Sequence, residues 1–283
     1  MVEIVTINGA DVIKAKLLKH GAATKRHAAG IFFGAATKFL DRARQFVRDV
    51  FGKVTKPLID PAGPEPRQIG AHGTDRSCDR HVVVIQNDDE LRIHRSGIIH
   101  RLDKDTSGLL LVGTTLIAHT ALVRLLADRA ISRHYLAVCN GVLTGGGTVN
   151  EPIARHPVDR KRMSVQQNGK PAVTHYTVKE RYAAFTYVNV KLETGRTHQI
   201  RVHFAHRRHA LVGDQVYGGR RALPRGASKE LIKMLLHFKR QALHATRLAF
   251  EHPVSREIVD LEAQPPKDFQ LLIETLRRDA SNE

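Results

Sequence analysis

Tryptophan is absent from this sequence of 283 residues, and Phe and Tyr bring the aromatic share to only 5%. Binding dominated by stacking on many successive bases is therefore not expected. Cysteine is equally scarce. Cys78 and Cys139 are the only two, too few for a disulfide framework and suited to a reducing compartment. No apolar run approaches the roughly 20 residues that span a bilayer, and Glu3 and Asn8 interrupt any apolar leader at the start. The expectation is a cytoplasmic chain with no membrane association.

Acidic residues are in short supply as well. Asp and Glu number 28 against 45 Lys and Arg, a formal charge of +17. Such an excess favours a polyanionic partner, most simply nucleic acid. Charge alone does not separate an enzyme from a basic ribosome-associated binding protein. An apolar content of 42% supports a real core, and the length allows one large domain or two smaller ones.

Ile4-Val5-Thr6-Ile7-Asn8-Gly9 alternates β-branched residues into Asn-Gly, which predicts a hairpin with Val12 and Ile13 on the return strand. Apolar residues from Ile31 to Phe51 recur at helical spacing, with Lys38, Arg42, Arg44 and Arg48 among them. They predict a basic amphipathic helix whose apolar stripe faces a core. Prolines and glycines over 53–82 read as a linker, and His81–Gln86 as a short strand. Leu116–Arg129 reads as a helix with Leu116, His119, Leu122, Val123, Leu126 and Ala127 on one face. Ile131–Val138 reads as a strand with Arg133, Tyr135 and Ala137 on one side. Gly145-Gly146-Gly147 is expected to turn a hairpin. The basic loop in Pro152–Met163, with Arg155, His156, Arg160, Lys161 and Arg162, has the composition of a phosphate-contacting segment or of a solvated charge run. Pro265-Pro266 precedes an amphipathic closing helix, Asp268 to Arg278. His198, His203, His206 and His209 fit no common zinc spacing, and Arg207 and Arg208 beside them would repel a cation. No metal is expected. His203 and His206 are expected to cap or hydrogen-bond within a helix.

The chemistry centres on Gly97 to Val112. Asp103 stands between Arg101 and Lys104, followed by Thr106, Ser107 and Gly108, the last expected to permit a backbone turn, and Leu109–Val112 is an apolar run of strand length. A carboxylate mounted at the mouth of a buried strand can act as nucleophile or base. The same pattern also describes a surface loop with a satisfied salt bridge.

His100-Arg101-Leu102-Asp103-Lys104-Asp105-Thr106-Ser107-Gly108 resembles the signature of the RluA-type pseudouridine synthases, in which the Asp of Arg-Leu-Asp is catalytic. Arg133-His134-Tyr135 resembles the family's second motif. Leu192-Glu193-Thr194-Gly195-Arg196-Thr197-His198-Gln199-Ile200-Arg201-Val202-His203 resembles its third nearly in full. Arg155–Tyr176 and Leu211–Arg220 resemble the RluD subgroup, which acts on large-subunit ribosomal RNA. The resemblance covers residues 96 to 277 and implies an α+β fold, a mixed, largely antiparallel sheet flanked by helices. It implies isomerisation of uridine to pseudouridine in RNA, with no cofactor. Asp103, Tyr135 and Arg201 would be catalytic, with Arg201 pairing Asp103 through both prongs of its fork. Arg101, Arg196 and His198 would bind substrate. The leading partner is ribosomal RNA, transfer RNA being the other candidate, and a monomer is expected.

Residues 1–21 look like the remnant of an S-four-type RNA-binding module, 22–95 form a divergent segment, and 96–283 the catalytic domain. The family's upstream Asn-Lys-Pro strand and Val-His-Pro-Gly stretch are absent. That predicts a sheet short of an interior strand, and a shifted reading frame over about 22–94 is one reading of the divergence. A non-catalytic RNA-binding or ribosome-assembly protein, and an RNA glycosylase, are the competing functions.

Overall fold

The computed structural model describes residues 97–113, 116–219 and 223–281 in full, together with the backbone of three earlier strands, β1 (Val2–Asn8), β2 (Asp11–Leu17) and β3 (Arg80–Gln86). All of these fall in one compact unit. The helix read over Ile31–Phe51, the proline-rich linker up to residue 79 and the reading-frame hypothesis for most of its span lie outside the described residues.

The later strands are β4 (Ser107–Gly113), β5 (Ser132–Asn140), β6 (Gly147–Asn150), β7 (Ile153–Arg155), β8 (Met163–Val165), β9 (Val173–Arg181), β10 (Phe185–Leu192), β11 (Leu243–Glu251) and β12 (Ile258–Glu262). The described helices are α1 (Leu116–Ala127), α2 (Gln199–His206), α3 (Lys229–His237) and α4 (Lys267–Ala280). Ten strands make one sheet in the order β2-β1-β3-β4-β11-β5-β10-β9-β6, with β12 beside β11, and β7 and β8 form a separate hairpin. The β1–β3, β3–β4 and β4–β11 pairs are parallel and the other pairs antiparallel. This is the mixed, largely antiparallel α+β arrangement expected.

The N-terminal hairpin is present, with Asn8 opposite Asp11, and β1 continues the sheet through β3. The expectation of a missing interior strand is corrected here. Arg80–Gln86 lies parallel to β4, Val82 opposite Leu110 and Val84 opposite Val112, and its backbone completes the ladder there. Two further expectations fail. The glycine run before β6 does not turn a hairpin, because β6 pairs with β9 rather than β5. The apolar face of α1 is also rotated. Ala118 and Leu122 are buried with Leu125 and Leu126 packed beside them, while Leu116 and Val123 are exposed. Ala118 and Leu122 join Leu109 and Leu111 of β4 in one cluster, and several other apolar residues of the helix remain in water.

Alternation along β5 serves two layers. Tyr135, Ala137 and Cys139 join Ile200 and Phe204 of α2, whereas Leu136 and Val138 join Leu231 and Leu235 of α3 and Phe269, Leu272 and Leu276 of α4. The sheet thus carries α2 on one face and α3 with α4 on the other. In β11 the register slips between Ala245 and Arg247, so Ala245 opposite Tyr135 and Leu248 opposite Arg133 share a face although one is odd and the other even. The extra residue, Thr246, is a β-bulge. Ser228 starts α3 by accepting the Leu231 N–H on its hydroxyl (3.2 Å).

Gly108, expected to permit a turn, instead sits inside β4 with φ +110°, and a Cβ there would lie 2.1 Å from the Ala245 carbonyl oxygen. Only glycine allows β4 and β11 to approach this closely. Gly108→Ala should therefore lose at least about 1–3 kcal/mol in urea unfolding, with loss of order spreading to the adjoining Asp103 loop. A variant as stable as wild type would show that the contact relaxes freely.

Candidate active site

Asp103 stands on the loop that feeds β4. Its carbonyl accepts the Thr106 N–H (3.1 Å), closing a turn in which Asp105 takes a left-handed φ of 67°. The loop is clamped from the opposite strand entry. The buried Gln241 amide donates to the Lys104 carbonyl (2.6 Å) and the Thr106 hydroxyl (2.9 Å). Arg240 reaches the Asp105 carbonyl (3.4 Å) and pairs both its prongs with Asp268 at the start of α4 (2.7 and 2.8 Å). On the near side, His100 Nε2 accepts the Leu111 N–H (3.1 Å). Burial, aided by the charge of Arg133, pulls this imidazole down to about 4, so it is a neutral structural acceptor.

Arg201 comes from α2 and meets Asp103 Oδ2 through Nη1 at 3.3 Å. The two-pronged pairing expected with Asp103 is made elsewhere. Nε and Nη2 bond Asp214 Oδ2 and Oδ1 at 2.7 and 2.9 Å. Asp214 Oδ1 also accepts the backbone N–H groups of Val216 and Tyr217 (2.9 and 3.0 Å). A guanidinium has five N–H donors, so two of its N–H groups, on one edge, are fixed by one carboxylate while a third is offered to the other. Tyr217 lies under the Arg201 guanidinium, 5.0 Å from ring centroid to Cζ. Asp214 and Tyr217 were not singled out from the sequence. A buried Arg needs more acceptors than one loop carboxylate supplies, and Asp214 in the turn after Gly213 is the first acid that follows Arg201 in sequence.

His198 takes a left-handed φ of 58° just before α2. Its Nδ1 lies 2.8 Å from the Tyr217 hydroxyl, which also accepts the Met163 N–H (2.9 Å). Its Nε2 is 4.0 Å from Asp103 Oδ1. The favoured tautomer has Tyr217 donating to Nδ1, which leaves the Nε2 proton facing the carboxylate. Burial, the largest influence, lowers the His198 pKa despite Asp103. Gln199 ties the preceding turn together. Its Oε1 accepts Thr194 Oγ1 and the Arg196 N–H (2.8 and 2.9 Å), while its amide donates to the Val173 carbonyl and Thr174 Oγ1 (both 2.9 Å). His203 does not bond within its helix as expected. It bridges Thr174 Oγ1 and the Glu151 carbonyl (2.9 and 3.0 Å).

Tyr135 is buried on β5 beneath this group. Burial pushes its phenol up to about 12, with Asp103 adding to the rise and Arg133 opposing it, so the ring presents a neutral phenol. Arg101 and Arg196 are exposed at the surface, and Arg196 Nε donates to the Pro171 carbonyl (3.0 Å). The six site residues read from the sequence thus divide into a linked Asp103–Arg201–His198 group, a buried Tyr135 and two exposed arginines.

The family model for RNA pseudouridylate synthases matches residues 66–206. A Vibrio vulnificus protein named ribosomal large subunit pseudouridine synthase D is 46% identical over 219 residues, covering 76% of this chain and 67% of that protein. The chain belongs to the RNA pseudouridylate synthase family. Proteins of the same name from Salmonella typhimurium and Haemophilus ducreyi are 56% and 52% identical over 187 residues, 66% of this chain. The chain spans 57–58% of the length of these two relatives. Among solved structures, human RNA pseudouridylate synthase domain containing 4 aligns with a TM-score of 0.53 at 25% identity, over 64% of this chain and 76% of its own. Domain containing 1 aligns at 0.50 and 29%, over 60% and 69%.

The Asp214 carboxyl lies below its ordinary value. Burial alone would raise it, but the Arg201 hydrogen bonds and charge and two backbone N–H donors outweigh burial. A lowered native pKa gives stability that is fully present above the unfolded value near ~3.9 and lost as pH falls through the native one. Asp214→Asn should cost about 3–5 kcal/mol at neutral pH, because it leaves Arg201 buried with too little counter-charge. Urea titrations across pH should show that deficit narrowing below about pH 4. A pH-independent deficit would mean that shape, not charge, makes Asp214 necessary.

Proposed function

We propose that this chain isomerises uridine to pseudouridine in RNA, with large-subunit ribosomal RNA as its substrate. The observation that carries the reading is Asp103 held at 3.3 Å by a buried arginine that is itself fixed by Asp214. A protein that only bound RNA would have no use for a carboxylate built so carefully into a surface meant for a polyanion. The names of the relatives support the choice of RNA.

In this reading the target base leaves its stack, at a cost of a few kcal/mol that is least in loops. Asp103 acts at the glycosidic centre as nucleophile or base. Arg201 holds it, and the neutral Tyr135 ring lies against the uracil. Arg101 fills the space the base vacates or holds a phosphate, and Arg196 and His198 contact the substrate. The rearrangement transfers no external group and has no net redox change, so it asks for no cofactor. We assign catalysis to residues 96–283 and read 1–21 as the remnant of an RNA-binding module and 22–95 as a divergent segment, the chain working as a cytoplasmic monomer. The basic loop between β7 and β8 follows RNA phosphates.

Pseudouridine mapping of ribosomal RNA from cells with and without the gene tests the reading, and identical maps would sink it. Asp103→Asn should abolish conversion while RNA affinity, set by phosphate contacts, stays nearly intact. Turnover above a few per cent of wild type would reject Asp103 as the reacting group. Tyr135→Phe should keep most of the activity, since a phenol that stays protonated contributes its ring face, worth about 1–3 kcal/mol by stacking. Loss of catalysis with binding unchanged would instead assign the hydroxyl a proton-transfer role.

A further inference from the structure

Arg133 is the charged group in the core that the reading above leaves without a task. Its residue is 6% exposed and its Nε has no hydrogen-bond partner. Several other ordered arginines pair with carboxylates, as Arg201 with Asp214, Arg240 with Asp268 and Arg277 with Glu180. Among the described residues Arg133 has no such partner. A buried cation without counter-charge is unfavourable for folding, and such groups concentrate where a ligand supplies what the protein withholds.

Its position is specific. Arg133 and Tyr135 project from the same face of β5. The Arg133 guanidinium lies under Gly195, where a Cβ would come within 2.6 Å of Nη1. Gly195 belongs to the turn that leads to His198, and His198 faces Asp103. On its other side the charge is felt by His100, which opens the Asp103 loop, and by Tyr135; burial is the main influence on both groups and Arg133 the second. The guanidinium is therefore bracketed by the loop that carries Asp103, the turn that carries His198 and the Tyr135 ring.

We infer that Arg133 is a further catalytic residue, one that donates hydrogen bonds to a carbonyl oxygen of the extruded uracil and stabilises the negative charge of the detached base. The inference rests on the uridine-isomerisation reading. When the C1′–N1 bond breaks, its electron pair stays with the uracil and spreads from N1 onto O2 and O4. Asp103 meanwhile bonds to C1′ or takes a proton from the sugar. The base rotates and C5 bonds to C1′ as the Asp103–C1′ bond breaks or, on the other route, as the sugar recovers its proton from Asp103; the C5 proton leaves to a base and N1 takes up a proton, so atoms and electrons balance as an isomerisation. The charged interval is the hard one, and a pre-placed, water-poor cation lowers its energy without reorganising. Phosphates stay with the backbone at the surface, where exposed Arg101 and Arg196 suit them. A deeply set guanidinium suits the base.

The test compares wild type with Arg133→Met and Arg133→Lys on RNA containing uridine or 5-fluorouridine at the target position. The readouts are single-turnover rate, RNA dissociation constant and thermal midpoint. Fluorine withdraws electrons and stabilises the detached base by itself. The Met variant should lose about 10²–10³-fold in rate on uridine RNA, keep its RNA affinity within about threefold, and lose less in glycosidic cleavage of the 5-fluorouridine RNA. Its midpoint should stay level or rise, since an unpaired buried charge is gone. Lys, a cation without the fork, should fall between. A full rate in the Met variant overturns the inference and leaves the functional reading standing. So does an equal loss on both RNAs with a lowered midpoint, the mark of a structural arginine. A wild-type chain that converts no uridine overturns both.

Discussion

The Arg201 guanidinium is divided between two acids, and the site depends on how it is divided. Two of its N–H groups are committed to Asp214 and one reaches Asp103. Because Asp214 takes the fork, the plane of the guanidinium is set by the 214–217 turn, whose backbone N–H groups hold the acid in place. Asp103 Oδ2 then accepts one N–H of Arg201, and Oδ1 faces His198 at 4.0 Å. The arrangement orients the acid.

The surrounding polar side chains extend the same logic. Gln199 fixes the turn that presents Arg196 and His198, and Gln241 fixes the loop that presents Asp103. Each is buried. Gln199 uses both its carbonyl and its NH2 group, and the Gln241 NH2 group donates to two acceptors. Buried amides bonded in this way rigidify what they touch. The left-handed backbone at Asp105 and His198 is held in place by these bonds, since non-glycine residues reach that region only where the surroundings over-determine it.

Much of this was legible in the sequence. The strands around Leu109, Tyr135 and Val188 carry alternation or apolar runs that leave little choice of structure, and the three motifs name Asp103, Tyr135 and Arg201. Asp214 was not legible, because a lone Asp in a glycine turn has no periodicity, and its partner lies on a helix reached only through tertiary packing. The face of α1 was misread because spacing tells which residues can share a stripe, not how much sheet is available to cover it. The strand at Arg80–Gln86 was visible as an apolar run, but its place beside β4 was not, since it lacks the family's sequence there and parallel pairing leaves no local mark.

The bonds that hold the Asp103 loop join residues far apart in the chain. Gln241 meets Thr106 across 135 positions, and Arg240, which supports Asp105, is anchored in turn by Asp268. A ribosome that has made the chain through α2 has therefore made the acid, the tyrosine and Arg201 without the parts that hold the acid's loop. Chains emerge N-terminus first, and the long loops that must close before these contacts form make their assembly a late event. The nascent chain carries its reacting group from early in synthesis but acquires a set geometry only when β11 and α4 dock. Maturation of the site is thereby tied to the synthesis and docking of β11 and α4.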